Sequence, residues 1–579
     1  MFDVLIKGGT VYDGSGRPAY TADIGVTDGC IAAIGTLTAD AKEVIDASGK
    51  AVTPGFIDTH SHGDLTLPFY PEMESKVRQG ITTIVGGQCG LSPAPCDKWW
   101  ENQYYEQMQI LELSGNLLSA PLLARPEQLS PLMQRDFGAP IDWRSYAEFL
   151  AVVEQRGIGA NYLPLVGHGA IRLQVLGEDY KRTATDAEIE QMKAYLRAAL
   201  DAGAAGLSSG LDYQPDIYCD FRELKALCEV VAEYGRIYDP HWRKTGLREG
   251  TPKKQKKIGG IIEALELGLQ TGVQVHLAHL SVGFDVFPAD DSYMAAAAAK
   301  RTPAIIDEYR QKGVRVTHDT IPNVTGGIFL EPDLAIAFLP WIKPCGSVEH
   351  FAKNLQAADY RATIAKEIYA GKHYDLNPLD NPDWANTYTI LRHGDGRYNG
   401  RKIGTLADEL GREHLDFVFD LLAADPYTKV FQVTQRMNES SVREFVNDPH
   451  GTIGSDTYAF DDKAIIGNGV GMPPYYPSPN TYCAFVRYLL EYPQASFEAS
   501  IYKVTGLPAK IFALADRGLL EVGKRADILV IDRDALRSNE DHIEPRVYPD
   551  GIEAVLVNGV AAVRGGVPTY SRSGMVLRK

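Results

Sequence analysis

Between residues 58 and 64 the chain reads DTHSHGD, directly after an apolar run, AVTPGFI, of the kind that forms a buried strand. Strand side chains point alternately to two faces, so Asp58, His60 and His62 share a face for as long as the strand continues. Imidazoles and a carboxylate on one face are ligands for a divalent metal. With 13 His in 579 residues, one His-x-His arises by chance about 0.3 times, so the pair gains meaning only from further residues of its kind.

Those residues occur at the ends of other apolar segments. Cys89 stands in GGQCG, His241 in YDPHW, His279 in HLAH and Asp456 in GSD. Each has an ordinary alternative: a buried thiol for Cys89, a turn-capping carboxylate for Asp456. Taken as a set, His60, His62, Cys89, His241, His279 and Asp456 read as a metal site with an acid-base carboxylate. In HLAH the two His differ by three positions, so only one can face inward. His279 shares the parity of Val273, Val275 and Leu277 and is the inward one; His276 reads as a core or helix-facing residue. His168 in LVGHG, with His318 and Asp319 in RVTHD, could orient ligands, contact substrate, or simply end a strand.

The segments that would position these residues are short, apolar and separated by helical stretches: AVTPGFID, ITTIVGG, NYLPLVGH, AAGLSS, RIYDPH, VQVHLAH, VRVTHD and TIGSD. Eight βα units favour a (β/α)8 TIM-like barrel, a fold that gathers its chemistry at the strand ends. Both chain ends instead carry closely spaced β segments with Gly and Asp turns, FDVLIKGGTVYDG at one end and RADILVIDRD, GIEAVLVNGVAAVRGG and SGMVLRK at the other. Residues 1–54 and 511–579 are expected to form one small β domain, with the barrel at 55–510. Segments 90–145 and 342–405 are too long for plain crossovers and would act as lids or as contacts of a homo-oligomer.

The formal charge of −17 argues against nucleic acid or an anionic membrane as partner, since phosphates reward clustered Lys and Arg. The one basic cluster, KKQKK at 253–257, reads as a solvated helix face. No run approaches the roughly 18 apolar residues of a membrane span, and MFDVLIKGG does not look like a secretory signal. Seven Cys without a CxxC pair suggest reduced thiols and a cytoplasmic protein.

At GFIDTHSHGD, GITTIVGGQCGLSPAP, LVGHGAIR, GAAGLSSGLDYQP, TIGSDT and TGLPAKIFALADRGLLEVGKRADILVIDRD, the chain resembles the amidohydrolase superfamily and, within it, the N-acyl-D-amino-acid deacylases (D-aminoacylases). The likeness runs nearly end to end. It implies a barrel with a small β-sandwich, a tight zinc on Cys89, His241 and His279, and a weaker second metal on His60, His62 and Asp456 with the cysteine able to bridge. It also implies that Tyr213 of GLDYQP sits at the substrate. The chain departs from the family pattern on the substrate side: HWRKTG, beginning at His241, stands where the family has His-Met-Arg-Ser-Glu, Ser281 stands where the family has lysine, and IPN at 321–323 and SPN at 478–480 replace Tyr-Pro-Tyr and His-Pro-Arg. A substrate carboxylate calls for a cation, so Arg172 and Arg243 are candidate replacements, or else structural ion-pair partners.

The implied reaction is hydrolysis of a linear N-acyl C–N bond to a carboxylate and a free D-amino acid. Zinc would lower the pKa of its water toward about 7 and polarise the carbonyl, while Asp456 acts as general base and then acid. Two further readings remain open: hydrolysis of a cyclic or uncharged amide, and a non-catalytic barrel serving as an assembly protein, which would not require these ligands.

Overall fold

The computed structural model describes residues 1–101, 123–243, 257–280, 284, 291–326, 333–370, 383–433, 439–462 and 477–579. Ser281, nearly all of KKQKK, and the stretches 102–122 and 371–382 of the two long segments lie outside the described residues.

Eight parallel strands form the barrel: β1 (Phe56–Asp58), β2 (Ile81–Gly86), β3 (Asn161–Pro164, continued by Val166–Gly167), β4 (Gly206–Gly210), β5 (Ile237–His241), β6 (Gln274–Leu277), β7 (Val316–Thr320) and β8 (Gly451–Ile453). Each pairs with the next along the chain. Closure falls just beyond the strands, where Thr59 N donates to Ile453 O and Ser61 bridges Thr457 in parallel. These strands are buried on both faces, as a sheet sandwiched by helices must be. The crossover helices start where side chains can satisfy their free N–H groups: Thr185 and Ser145 each cap a helix while Glu188 and Glu148 reach back to the cap residue.

AVTPGFID does not form one strand. It breaks at Gly55, where a Cβ would stand 2.0 Å from Thr82 Oγ1. Ala51–Pro54 pairs antiparallel with Ile528–Ile531 in a nine-stranded sheet built from both chain ends, and only Phe56–Asp58 enters the barrel. Alternate residues of that terminal sheet, among them Val4, Ile6, Ile24, Val26, Ile528 and Val530, form its own core. SGMVLRK departs from the expected placement as well. Instead of extending the terminal sheet, it runs beside β3, with Tyr162 N donating to Met575 O and Leu577 N to Tyr162 O, so that Val576 is buried against the barrel.

Between β7 and β8 the chain forms a satellite with a separate core from Leu334 to Val430, including Phe338, Trp341, Phe351 and Phe419. Its neck is held by the buried pair Lys429–Asp333 at 2.8 Å. Among the described residues no helix is long and apolar enough to cross a membrane.

Candidate metal centre

Six of the residues singled out by spacing converge at the C-terminal mouth of the barrel. Cys89 follows β2 between two left-handed glycines, Gly87 and Gly90, and itself has φ +58°. His279 and Asp456 also take positive φ, at +32° and +53°. Left-handed backbone is costly for residues with a Cβ and is kept where the surroundings enforce it. Here it turns the side chains back over the barrel.

Cys89 Sγ lies 3.3 Å from His60 Nε2 and 3.5 Å from both His241 Nδ1 and His279 Nε2. Asp456 Oδ1 is 3.2 Å from His62 Nε2 and 3.5 Å from His60 Nε2. Donor atoms of His60, Cys89 and His279 all fall within 4.8 Å of one another, as do those of His60, His62 and Asp456, so His60 belongs to both sets. Burial alone would raise the Cys89 thiol, but His60, His279 and His241 pull it well below its ordinary value. Burial would likewise lower His62, yet Asp456 and the Cys89 sulfur raise it to about 9. The donor set is thus anionic at sulfur and carboxylate and offset by protons on imidazoles, and a divalent cation can take the place of those protons. The S···N spacing suits one, since Zn–S and Zn–N bonds in tetrahedral geometry put the two donors about 3.5 Å apart.

Further groups orient this set. Asp319 Oδ2 faces His60 Nδ1 at 3.4 Å and His276 Nε2 at 3.2 Å, while its Oδ1 accepts from His279 N at 2.6 Å. A carboxylate behind a ligating imidazole fixes its tautomer and direction. Asp212 stands 3.9 Å from His241 Nε2, and Gln88 spans Thr59 O and Asp239. His276 is a core residue, but not one turned away from the barrel as its parity indicated. It faces inward, bonded to Thr317 and beside Asp319 and Phe512, while Val275 packs toward Gly268 of the crossover helix. His279 reaches the site because the chain turns left-handed after the strand ends at Leu277. His318 lies apart, 3.6 Å from Asp448 and packed on Phe445. Asp58 turns to Lys76 rather than to the metal set.

The residues expected at the substrate are placed differently. His168 bonds Glu223 at 2.8 Å and faces Asp216 at 3.2 Å. Arg172 is fully buried, with one terminal nitrogen on Glu223 and the other on the carbonyls of Tyr180 and Arg182. Arg243 binds Glu263, Ile217 O and Cys219 O. A buried guanidinium must be surrounded by acceptors, and these two have found theirs within the protein, which makes them structural ion-pair partners. Tyr213 is at the site but donates to Cys89 O at 2.8 Å with its ring edge-on to His241, so it supports the cysteine turn. Lys76 is the participant that spacing missed: it lies in ESKV, a four-residue helix with no periodic signal, and is fully buried.

The sequence profile of the amidohydrolase family matches residues 43–236 and 381–563. The chain belongs to the amidohydrolase family. Within it the chain falls among the D-aminoacylases. It is 30% identical to an N-acyl-D-glutamate deacylase of Alcaligenes xylosoxydans xylosoxydans over 100% of this chain and 96% of that protein. A D-aminoacylase crystal structure superposes with TM-score 0.69 at 26% identity, covering 100% of both chains. An N-acyl-D-glutamate deacylase from Bordetella bronchiseptica, solved with zinc and a phosphonate mimic of the tetrahedral intermediate, superposes with TM-score 0.67 at 27% identity, again over 100% of both. The amidohydrolase architecture of a TIM barrel with an attached β domain therefore describes this chain.

Proposed function

We propose that this amidohydrolase is a zinc-dependent N-acyl-D-amino-acid deacylase, releasing a carboxylate and a free D-amino acid. The observation that carries the reading is a single sulfur, Cys89 Sγ, met by three imidazole nitrogens within 3.5 Å, with Asp456 beside it. Cys89, His241 and His279 hold the tight ion; His60, His62 and Asp456 form the adjoining position. Zinc, when bound, supplies Lewis acidity at the scissile carbonyl and lowers the pKa of the attacking water toward about 7.

The chain's own residues do the rest. Asp456 accepts the proton of the attacking water and returns it to the departing nitrogen, so that the amine leaves neutral. His62 and His60 hold that carboxylate from two directions. Tyr213 fixes the Cys89 turn through its carbonyl. Residues 1–54 and 511–579 are read as one β domain, except for the stretch 574–577 that pairs with β3, and 55–510 as the catalytic barrel. Seven free thiols support a reducing, cytoplasmic setting.

One observation favours a second reading, in which the substrate is an uncharged or cyclic amide. Asn323 of IPN and Asn480 of SPN hydrogen-bond each other at 2.5 Å, and Asn480 also donates to Gly326 O. These positions bring no charge for a substrate carboxylate.

Amine release by zinc-loaded protein from matched N-acetyl-D- and N-acetyl-L-amino acids, uncharged amides and cyclic amides separates the two readings, with Asp456→Asn as control. The expected result is release from D substrates alone, reduced about 10²–10⁴-fold in the control. Silence on every carboxylate-bearing substrate would overturn the deacylase assignment, and turnover of uncharged or cyclic amides would replace it.

A further inference from the structure

Lys76 is wholly enclosed, yet carries a charge that the reaction does not use. The three N–H groups of its ammonium are shared among four acceptors, Asp58 Oδ2 at 3.1 Å, Ser455 Oγ at 2.7 Å, Thr457 Oγ1 at 2.9 Å and Thr457 O at 3.1 Å. These acceptors come from two places in the chain: the end of β1, and the turn just after β8. Both also carry the candidate metal residues. Asp58 precedes His60 and His62; Ser455 and Thr457 flank Asp456.

The bonds around the ammonium interlock with that arrangement. Ser455 donates to Asp58 through both its backbone N, at 2.9 Å, and its hydroxyl, at 2.6 Å. Asp456 N donates to His60 O at 2.8 Å, and His62 N to Thr457 O at 3.0 Å. Asp456 itself sits at φ +53°, a conformation that persists only where neighbours over-determine it. Past Ile453 the regular strand pairing gives way, among the described residues, to separate backbone bonds, Gly454 N to Thr320 O, Asp456 N to His60 O and His62 N to Thr457 O, beside the Ser61–Thr457 bridge, so side-chain bonds share in holding the turn. Without a cation between them, the Asp58 carboxylate and the carbonyl of Thr457 would lose the group that draws them together.

We propose that Lys76 is a positioning residue for Asp456. It clamps the end of β1 to the turn after β8, and so fixes the Asp456 carboxylate at its distance from His60 and His62. The inference rests on the reading of Asp456 as the proton-transfer group, but part of its test is independent of turnover.

Lys76→Met is the direct variant. Because it leaves the Asp58 carboxylate buried without its cation and can fail to fold, the double variant Lys76→Met/Asp58→Asn, which removes both charges, accompanies it. The expected kinetic result in the zinc-loaded double variant is a fall in kcat of about 100-fold, the scale of a misplaced catalytic group, with KM changed less than about twofold, because a positioning loss acts on the transition state. The turnover-free readout is the crystal structure of the double variant, in which Asp456 Oδ1 should leave its 3.2 Å approach to His62 Nε2. Wild-type kcat in a folded double variant, or an Asp456 carboxylate that stays in place, would overturn the proposal and reduce Lys76 to a structural counter-charge. If wild-type protein released no amine from any substrate, the functional reading would fail while the crystallographic outcome still decided the clamp.

Discussion

A thiol buried among imidazoles is a different chemical object from a thiol buried among hydrocarbon. Cys228, enclosed in the core, has its thiol pushed well above its ordinary value by burial, with the Glu229 carboxylate adding to it. Cys89, equally enclosed, is pulled well below by His60, His279 and His241. Only the second is a candidate metal ligand, since the thiolate is the ligating form. Cys89→Ser is therefore expected to lower zinc content of the purified protein from near stoichiometric to a minor fraction, while Cys228→Ala leaves it unchanged and costs only packing stability; metal analysis by mass spectrometry checks both. Position just past a buried strand made His60, His62 and His279 readable, but strand parity did not: the strands end at Asp58 and Leu277, His276 takes the inward face, and His279 arrives through a left-handed turn beyond the period-two region. The same reasoning had no purchase on Arg172, Arg243 or His168. Whether a cation near a strand end faces a substrate or a carboxylate depends on what other elements bring to it, and Glu223 and Glu263 lie on separate helices, 51 and 20 residues from their arginines.

At the scale of elements, the buried cluster of His168, Arg172, Glu223 and Asp216 ties the helix His168–Leu176 to the helix Phe221–Glu233. Burial would lower His168, but Asp216 and Glu223 raise it to about 9. A folded-state value above the unfolded one of about 6.5 means that the charged form stabilises the fold fully below pH about 6.5, and that this contribution is lost as pH rises through about 9. Urea unfolding of wild type against His168→Gln should then show a gap on the order of 3 kcal/mol at pH 6 that narrows at pH 10; a gap independent of pH would contradict the charged assignment. Eight strands were legible as apolar runs ending in polar residues. Their ends were less so, as with Gly55: the break there follows from the approach of Thr82, a contact between segments that no local pattern contains.

The whole molecule is a barrel that cannot be separated neatly from its flanking sheet. Asn161 at the start of β3 donates to Asp527, which also holds Arg517 and Asn558 N, and the last residues of the chain return to β3. The origin of the terminal sheet in both chain ends was visible in the sequence because β texture recurs there. The return of residues 574–577 to the barrel was not, because a four-residue pairing leaves no periodic trace. What the architecture accomplishes is the delivery of side chains from β1, β2, β5, β6 and β8 to one small volume. The most direct test of that claim is an anomalous-difference map from crystals of zinc-loaded protein, measured on both sides of the zinc edge. The account predicts a principal peak about 2.3 Å from Cys89 Sγ and about 2.0–2.1 Å from His241 Nδ1 and His279 Nε2. A principal peak elsewhere, or none at that point in zinc-replete crystals, would contradict it.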